Sequence, residues 1–403
     1  MALVAERMLH IPEGINYECT GCGNCCLAWP VPVTAEDHER IAGLSDSELA
    51  PLPGRFRELH SSEAKLQAFT HTLEKRADGR CEFLTADNRC WLHLNYGADM
   101  KPAMCQLFPY TFTETPSGVY ASVSFASSGA LLNSGRALSE QADFLQRKWQ
   151  QFRRLFPKVA PDWSCVQLID GCLIDWDQYL NLERELLRLI RFQGQKRIDR
   201  CLLDCSRFLA RTVPPGSELE RDLQIEARPK MIDQIIVRHL FDLYFPDDVF
   251  NCDADELDAQ GLGKQLVDPP AALTLQCGGV SYSFGDLNGF SLGNLDPQSE
   301  DMLARFVYCR IFSKLYFAAG FANLSLLAGI HHLAIIMAML RFKLKIITLR
   351  DKGRRPDFYE VAEVLRALER RLTQVHFSRE ATAALEVLLT SPERAERILS
   401  LAY

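Results

Sequence analysis

Residues 19–26 read CTGCGNCC, and this run governs how the first part of the chain must fold. It places Cys19, Cys22, Cys25 and Cys26 within about one turn of backbone. Adjacent cysteines such as Cys25 and Cys26 pair poorly as a disulfide, because the geometry is strained. A soft metal or an iron–sulfur cluster resolves the crowding: thiolates neutralise its charge, and it holds the sulfurs apart. The run reads as a metal site.

A second group of cysteines follows. CEFLTADNRC at 81–90 supplies Cys81 and Cys90, His93 comes three residues later, and KPAMCQLFP at 101–109 supplies Cys105. Seven of the 14 cysteines therefore lie in the first 105 residues, in two bursts. A secreted disulfide scaffold spreads its half-cystines through a short chain instead. The opening MALVAERMLHIPEG carries Glu6 and Arg7 where an export signal needs an unbroken apolar core. The expectation is a reducing, cytoplasmic setting.

Two metal arrangements fit. Seven cysteines with His93 make eight ligands, enough for two tetrahedral zinc sites. Alternatively Cys19, Cys22 and Cys25 follow the C-x2-C-x2-C rhythm of ferredoxin-type ligation, with Cys105 as a remote fourth ligand to one 4Fe-4S cluster. Three evenly spaced cysteines plus a neighbour suit the face of a cubane better than paired zinc knuckles do. The iron–sulfur arrangement is favoured and zinc stays open. His93 sits among Trp91, Leu92, Leu94 and Tyr96, so a hydrogen-bonded structural histidine is an equal alternative to a ligand.

The combined pattern resembles the cysteine-cluster domain of the YkgJ type, CxxCxxCC, a zinc- or iron-chelating domain also carried by the flagellin lysine-N-methylase group. The matching positions are Cys19, Cys22, Cys25, Cys26, Cys81, Cys90, His93, Lys101, Pro102, Cys105, Phe108 and Pro109. The family pattern places a further cysteine after the next hairpin, where this chain has Ser127 and Ser128. The resemblance implies a metal-binding protein. By its methylase branch it also implies a protein-modifying enzyme that uses S-adenosylmethionine on a protein substrate. The alternative is a non-catalytic or electron-transfer protein whose metal supports the fold.

Composition bounds the rest. A chain of 403 residues, 47% apolar and 24% charged, suits two or three folded domains. Its formal net charge of −7 leaves no electrostatic footprint for nucleic acid. There is no G-x-x-x-x-G-K-[ST] phosphate loop and no H-E-x-x-H motif. GLGKQL at 261–266 and CGGVSYSFG at 277–285 lack the strand–turn–helix setting of a dinucleotide site.

The expected fold is mainly α with small β-hairpins: a cysteine-rich metal-binding domain at 1–135, then a larger helical domain at 136–403. Thr34 with Asp37 reads as a helix start and Gly43 as its stop. Residues 81–90 read as a hairpin-like loop, and YTFTE with VYASVSF as a β-hairpin about Pro116, Ser117 and Gly118. Residues 61–73 read as strand or irregular. Helices are expected at 138–156, 175–211 with Gly194 as a break, and 219–244 interrupted at Pro229. Residues 246–300 read as irregular, with a hairpin turn at Gly278 and Gly279.

Residues 315–340 hold 26 positions without a formal charge, long enough to span a bilayer. Asn323, Ser325, His331 and His332 interrupt them, so two buried helices, 315–321 extending the preceding helix and 324–342, are the preferred reading. His331 and His332 then belong to the core. Cys201 and Cys205 share a helix face as packed thiols. Cys165, Cys172, Cys252, Cys277 and Cys309 read as core residues, and the basic run 341–355 as a solvated helix end.

Overall fold

A computed structural model describes residues 7–27, 30–44, 56–60, 68–157, 161–190, 197–214, 229–246 and 256–402. Cys252, Gly194 and the stretches 61–67 and 219–228 lie outside the described residues. The chain divides into two compact units, residues 1–160 and 161–403.

In the first unit, β1 (Leu9–His10) leads toward the cysteine run, which is followed by β2 (Pro32–Val33) and α1 (Ala35–Ala42). Thr34 accepts the Asp37 N–H at 3.0 Å and opens α1; the Gly43 N–H donates to Glu39 and closes it. Next come β3 (Phe56–Glu58), β4 (His71–Leu73), α2 (Trp91–Tyr96) and α3 (Ala103–Leu107). The hairpin β5 (Tyr110–Thr115) and β6 (Gly118–Val123) turns over Pro116 and Ser117, as the sequence indicates. β1 adds in parallel to β6, so a Cβ at Gly118 would strike the Met8 carbonyl. A second sheet has the order β2-β4-β3.

Two helices close the unit, α4 (Ser128–Leu131) and α5 (Ala142–Leu155). The apolar stripe of α5 lies on the hairpin, where Trp149 and Phe152 stand 5.6 and 5.7 Å from Phe112. Gln151 of α5 donates to Gln106 of α3 at 3.2 Å. The helix expected to open the helical domain at 136 therefore completes the first unit. It braces the short helix that carries Cys105.

Among the described residues the second unit is helical with two small hairpins. It runs β7 (Val166–Ile169), β8 (Cys172–Ile174), α6 (Trp176–Ile190), α7 (Ile198–Thr212), α8 (Met231–Tyr244) and α9 (Ala259–Val267). β9 (Thr274–Cys277) and β10 (Val280–Ser283) follow, joined at Gly278 and Gly279 with φ of 61° and 72°. A primed turn demands such positive φ values, and glycine tolerates them. Helices α10 (Phe284–Asn288), α11 (Pro297–Phe312), α12 (Leu326–Arg350), α13 (Phe358–Leu372), α14 (Arg379–Leu389) and α15 (Pro392–Leu401) complete it.

Helix α12 is apolar on every face and buried along most of its length, as a central helix must be. It packs against α7, α13, α14 and α15. Two expectations change here. Residues 315–321 do not extend α11, because the chain turns after Phe312 and Lys314, Ala318, Ala322 and Asn323 take positive φ. Nor is the run from Arg341 wholly solvated. Arg341 is fully buried, paired with Asp199 of α7 at 3.0 Å and Glu300 of α11 at 2.8 Å. Lys345 is buried too, donating to the Leu287 carbonyl at 3.1 Å. Among the described residues no helix is long and apolar enough to cross a membrane.

His331 and His332 are core residues, as expected. His331 shares a 2.6 Å hydrogen bond with Ser206 and His332 one of 2.8 Å with Tyr244. Cys201, Cys205 and Cys309 are buried, whereas Cys165 is exposed and Cys172 and Cys277 are part-exposed, so those three are not core. Burial lowers His331 to about 4 and His332 to about 3. The folded state thus holds both rings neutral where the unfolded chain protonates them. Stability attached to them is intact above pH 6.5 and declines below it, by about 1.4 kcal/mol per pH unit for each histidine. Urea midpoints of the full chain at pH 7 and pH 5 should show this decline. His332→Gln should flatten the slope, and an unchanged slope would assign the acid sensitivity elsewhere.

Candidate metal centre

Three sequence-distant segments meet at one cavity of about 570 Å³, lined by Cys19, Cys22, Cys25, Cys26, Cys81, Cys90, His93 and Cys105. All eight residues singled out by spacing face this one space. The first segment bends through Gly21 and Gly23, with φ of 66° and 72°. At Gly23 a Cβ would come within 3.0 Å of Asn88 and 3.3 Å of Leu84, so the run can approach the 81–90 loop only with glycine there. The turn Asn24–Cys26 is a single 3-10 turn, closed by the Cys26 N–H on the Gly23 carbonyl at 2.8 Å.

The second segment is clasped to the first by backbone. The Cys81 N–H donates to the Cys26 carbonyl at 3.1 Å, and Lys75 Nζ donates to the same oxygen at 3.1 Å. Leu84 bridges to Cys90, and the Trp91 N–H donates to Phe83 at 2.8 Å. This is the expected hairpin-like loop, and Cys90 stands at its last position, just before the start of α2. The third segment is α3. Its Ala103 N–H donates to the buried Asp37 carboxylate at 2.9 Å, and Arg40 holds the other Asp37 oxygen at 2.7 Å. Asp37 thus fixes the helix carrying Cys105, not only the start of α1.

From the far side the chain after β6 straps the cysteine run. The Tyr17 N–H donates to Arg136 at 3.0 Å and Ser134 Oγ to the Glu18 carbonyl at 3.0 Å. A Cβ at Gly129 would collide with the Glu18 carbonyl and the Tyr17 ring. Ser128 accepts the Cys22 thiol at 3.0 Å, and Ser127 bonds Tyr17. The two serines where the family pattern has a further cysteine therefore support the run through hydroxyl contacts.

The thiols fall into an inner and an outer set. Cys26 is pushed up first by its hydrogen bond with Cys25, then by burial and by Cys25, Cys105 and Cys81. Cys105 is pushed up by burial and by Cys81, Cys90 and Cys25, with Lys101 opposing. It keeps partial surface exposure, but desolvation of the thiol comes first among the causes. Cys81 is pushed up by burial, with Cys90 adding and Lys75 opposing. Cys25, Cys26, Cys81, Cys90 and Cys105 thus act on one another. Cys19 is exposed and acts on Tyr17 and Tyr110, the latter pushed up to about 12 chiefly by burial. His93 is exposed at the rim, lowered by desolvation and by Lys101 and Arg89. Among the described residues no three His, Cys, Asp or Glu are gathered closely enough to hold a metal ion as they stand.

The donor chemistry fits a thiophilic metal. Five soft sulfurs facing one space oppose one another's ionisation, and a bound cation reverses that opposition by pairing with each thiolate. Sequence reading missed Lys75, Tyr17 and the cross-helix role of Asp37, and noted Ser127 and Ser128 only as standing in place of a further cysteine. Asp37 alone left a local signal, its place three residues after Thr34.

A second cavity of about 620 Å³ abuts the first. The two share Tyr17, Cys19, Lys101, Cys105 and Phe108. Its floor is aromatic, with Tyr110 between Tyr17 at 5.4 Å and Phe144 at 5.3 Å. Lys101, Arg136, Arg147 and Lys148 line it together with Glu18, Asp99, Glu140 and Asp143.

Comparison with known proteins agrees with this site. Residues 18–126 match the CxxCxxCC family model, described as "Putative zinc- or iron-chelating domain". The N-terminal region is a cysteine-cluster domain of that type. An uncharacterized protein of Methanocaldococcus jannaschii is 31% identical over 101 residues, 25% of this chain and 31% of that protein. The chain thus spans about a third of that relative's length. No solved structure matches.

Two outcomes are expected. Because Cys26, Cys81 and Cys105 are raised, metal uptake must expel their protons, so apparent affinity should climb with pH between 6 and about 9 and binding should acidify a weakly buffered sample. Competition against a coloured chelator reads this, and a pH-independent affinity would remove the thiols as ligands. Asp37→Ala should cost about 1–3 kcal/mol in the stability of the N-terminal unit, because it strips a buried charged acceptor from Ala103 and Arg40. Asp99→Ala, at an exposed carboxylate, should cost little in the same melts.

Proposed function

We propose that the N-terminal unit holds a 4Fe-4S cluster. The observation that carries this reading is the placement of five mutually acting thiols around a cavity of about 570 Å³. A lone zinc ion gathers four sulfurs at about 2.3 Å into a tight knot, whereas a cluster takes thiolates on separate irons spread over its own volume. Soft sulfur donors suit either metal, so zinc is the competing occupant.

When bound, such a cluster supplies one-electron chemistry or an iron site for a ligand. The chain's own residues do the rest. Cys25, Cys26, Cys81, Cys90 and Cys105 supply the candidate ligands, and Lys75 fixes the Cys26 backbone. Lys101, acting on Cys105, offsets part of the negative charge that thiolates bring. Tyr17 and Phe108 give the cavity apolar walls that limit water.

The second cavity favours an enzymatic use of this centre, since its shared wall would bring a bound molecule beside Cys19 and Cys105. Resemblance to the lysine-N-methylase group gives that use a concrete form: S-adenosylmethionine-dependent modification of a protein substrate. Without it, the centre serves electron transfer or supports the fold.

Protein purified without oxygen should be brown and carry acid-labile sulfide in proportion to iron. Cys26→Ser, Cys81→Ser and Cys105→Ser should each lose most of the metal, while Cys172→Ser on β8 keeps it. Cys19→Ser should lose less than the inner three. A colourless preparation with stoichiometric zinc would replace the cluster with zinc. If the holo-protein fails to bind S-adenosylmethionine at millimolar concentration, the methylase form is excluded and the metal centre stands.

A further inference from the structure

Away from the cysteine cavity, β9 ends at Cys277, immediately before the Gly278–Gly279 turn. Lys343, on α12, donates from Nζ to Cys277 Sγ at 2.9 Å. The amine stands 5.6 Å from the ring centre of Phe245 and 5.9 Å from that of Phe241, both brought by the α8 region. These rings limit where the flexible lysine can go and attract its charge. Among the described residues no carboxylate lies within ion-pair distance of Lys343, so its close polar neighbour is a sulfur. Cys277 and Lys343 are both part-exposed, which lets a small oxidant reach the sulfur. The two residues are 66 apart in sequence. Neither belongs to the metal-binding domain, and nothing in the function proposed above uses them.

We propose that Cys277 and Lys343 form a reversible, oxidant-dependent S–N cross-link that fastens the β9–β10 hairpin to α12. The oxidant is a peroxide. The Cys277 thiol takes one oxygen from hydrogen peroxide, giving a sulfenic acid and one water. The Lys343 ammonium gives up a proton to solvent, and the amine then attacks that sulfur with its lone pair. The S–N bond forms and the S–O bond breaks, and the departing hydroxide leaves with an amine proton as a second water. Thiol and amine together lose two hydrogens, and the peroxide is reduced to two waters. A thiol reductant reverses the link by attacking the sulfur, returning the amine and a mixed disulfide that a second thiol resolves.

The geometry favours this route over further oxidation. A sulfenic acid formed at Cys277 finds the amine already beside it, so condensation is intramolecular and competes with a second encounter with peroxide. Lys343→Arg keeps a positive charge near the same aromatic rings but replaces the nucleophilic amine with a guanidinium.

The test uses the full-length protein, with its metal content measured before and after. After brief treatment with dilute hydrogen peroxide and digestion without reductant, the peptides carrying Cys277 and Lys343 should appear joined. Their mass should be two hydrogens below the sum of the separate peptides, trypsin should fail to cut after Lys343, and dithiothreitol should restore both. In Lys343→Arg the pair should vanish, and Cys277 should accumulate as a dimedone-trapped sulfenic acid. Cys277→Ser should give neither product. Thermal melts of the reduced variants confirm that each is folded. Oxidation of Cys277 to sulfinic or sulfonic acid at the same rate in wild type and Lys343→Arg, with no joined peptide, would overturn the proposal. So would a joined pair heavier by one oxygen, which would place oxygen between the nitrogen and sulfur.

Discussion

Thiols drawn together without a cation resist ionisation, and the first unit is arranged around that conflict. Cys26 sits at its centre, acted on by Cys25, Cys81 and Cys105. Nothing in the local conformation of any one segment would bring these sulfurs together. The Gly23 turn, the backbone clasp from Cys81 to Cys26 and the Asp37 cap on α3 each spend a specific contact to do so. The core cluster of Val31, Val33, Ile41, Leu73, Phe83, Leu84 and Leu92 takes in Cys81 itself, and Cys26, Cys90 and Cys105 pack against it, so apolar burial and the thiols share one wall. A cation in the cavity turns mutual opposition into shared attraction, which is why metal binding and folding are coupled in domains of this kind.

The second unit meets a different constraint, the burial of charge. Arg341 lies in the middle of α12 and is satisfied by carboxylates from two other helices, Asp199 and Glu300. Lys314 meets Glu183 at 3.0 Å, and Arg397 meets Asp233 at 2.7 Å. Such pairs add little net stability over well-packed apolar residues, but removal of one partner leaves a stranded charge. Their effect is to define which helices may neighbour which. An apolar helix like α12 could slide or rotate among its neighbours with little change in buried area, and a pinned guanidinium forbids that.

What could be read in the sequence was chemistry that is local or that depends on residue type. CTGCGNCC, the β5–β6 turn, the Thr34 cap and the Gly278–Gly279 turn each state their geometry within a few residues. The cysteine group was legible because few explanations other than metal suit so many close thiols. Contacts that exist only once the chain has folded were not legible. Asp37 looks like a helix-start residue and serves α3, 66 residues away. Arg341 looks like the first charge of a solvated helix end, because its partners at 199 and 300 announce nothing in sequence. The turn after Phe312 was hidden for a related reason: an uncharged run reads as helix, while the positive φ values at Ala318 and Ala322 belong to a residue type that seldom adopts them.

The family match and the two cavities divide the first unit in an informative way. The match ends at residue 126, and the thiol cavity lies almost wholly inside it, with Tyr17 and Ser127 just beyond its ends. The second cavity does not. Its outer wall is built from Arg136 to Lys148, on α5 and the segment leading to it, past the matched region. The thiol cavity is therefore the part of this unit that falls within the family match. The second cavity is thus built partly from matched residues such as Cys19, Lys101 and Cys105 and partly from residues outside the match. Since α5 also braces α3 through Gln151 and Gln106, the helix that shapes the second cavity touches the element holding Cys105. The two cavities also meet directly, at the wall they share through Cys19 and Cys105.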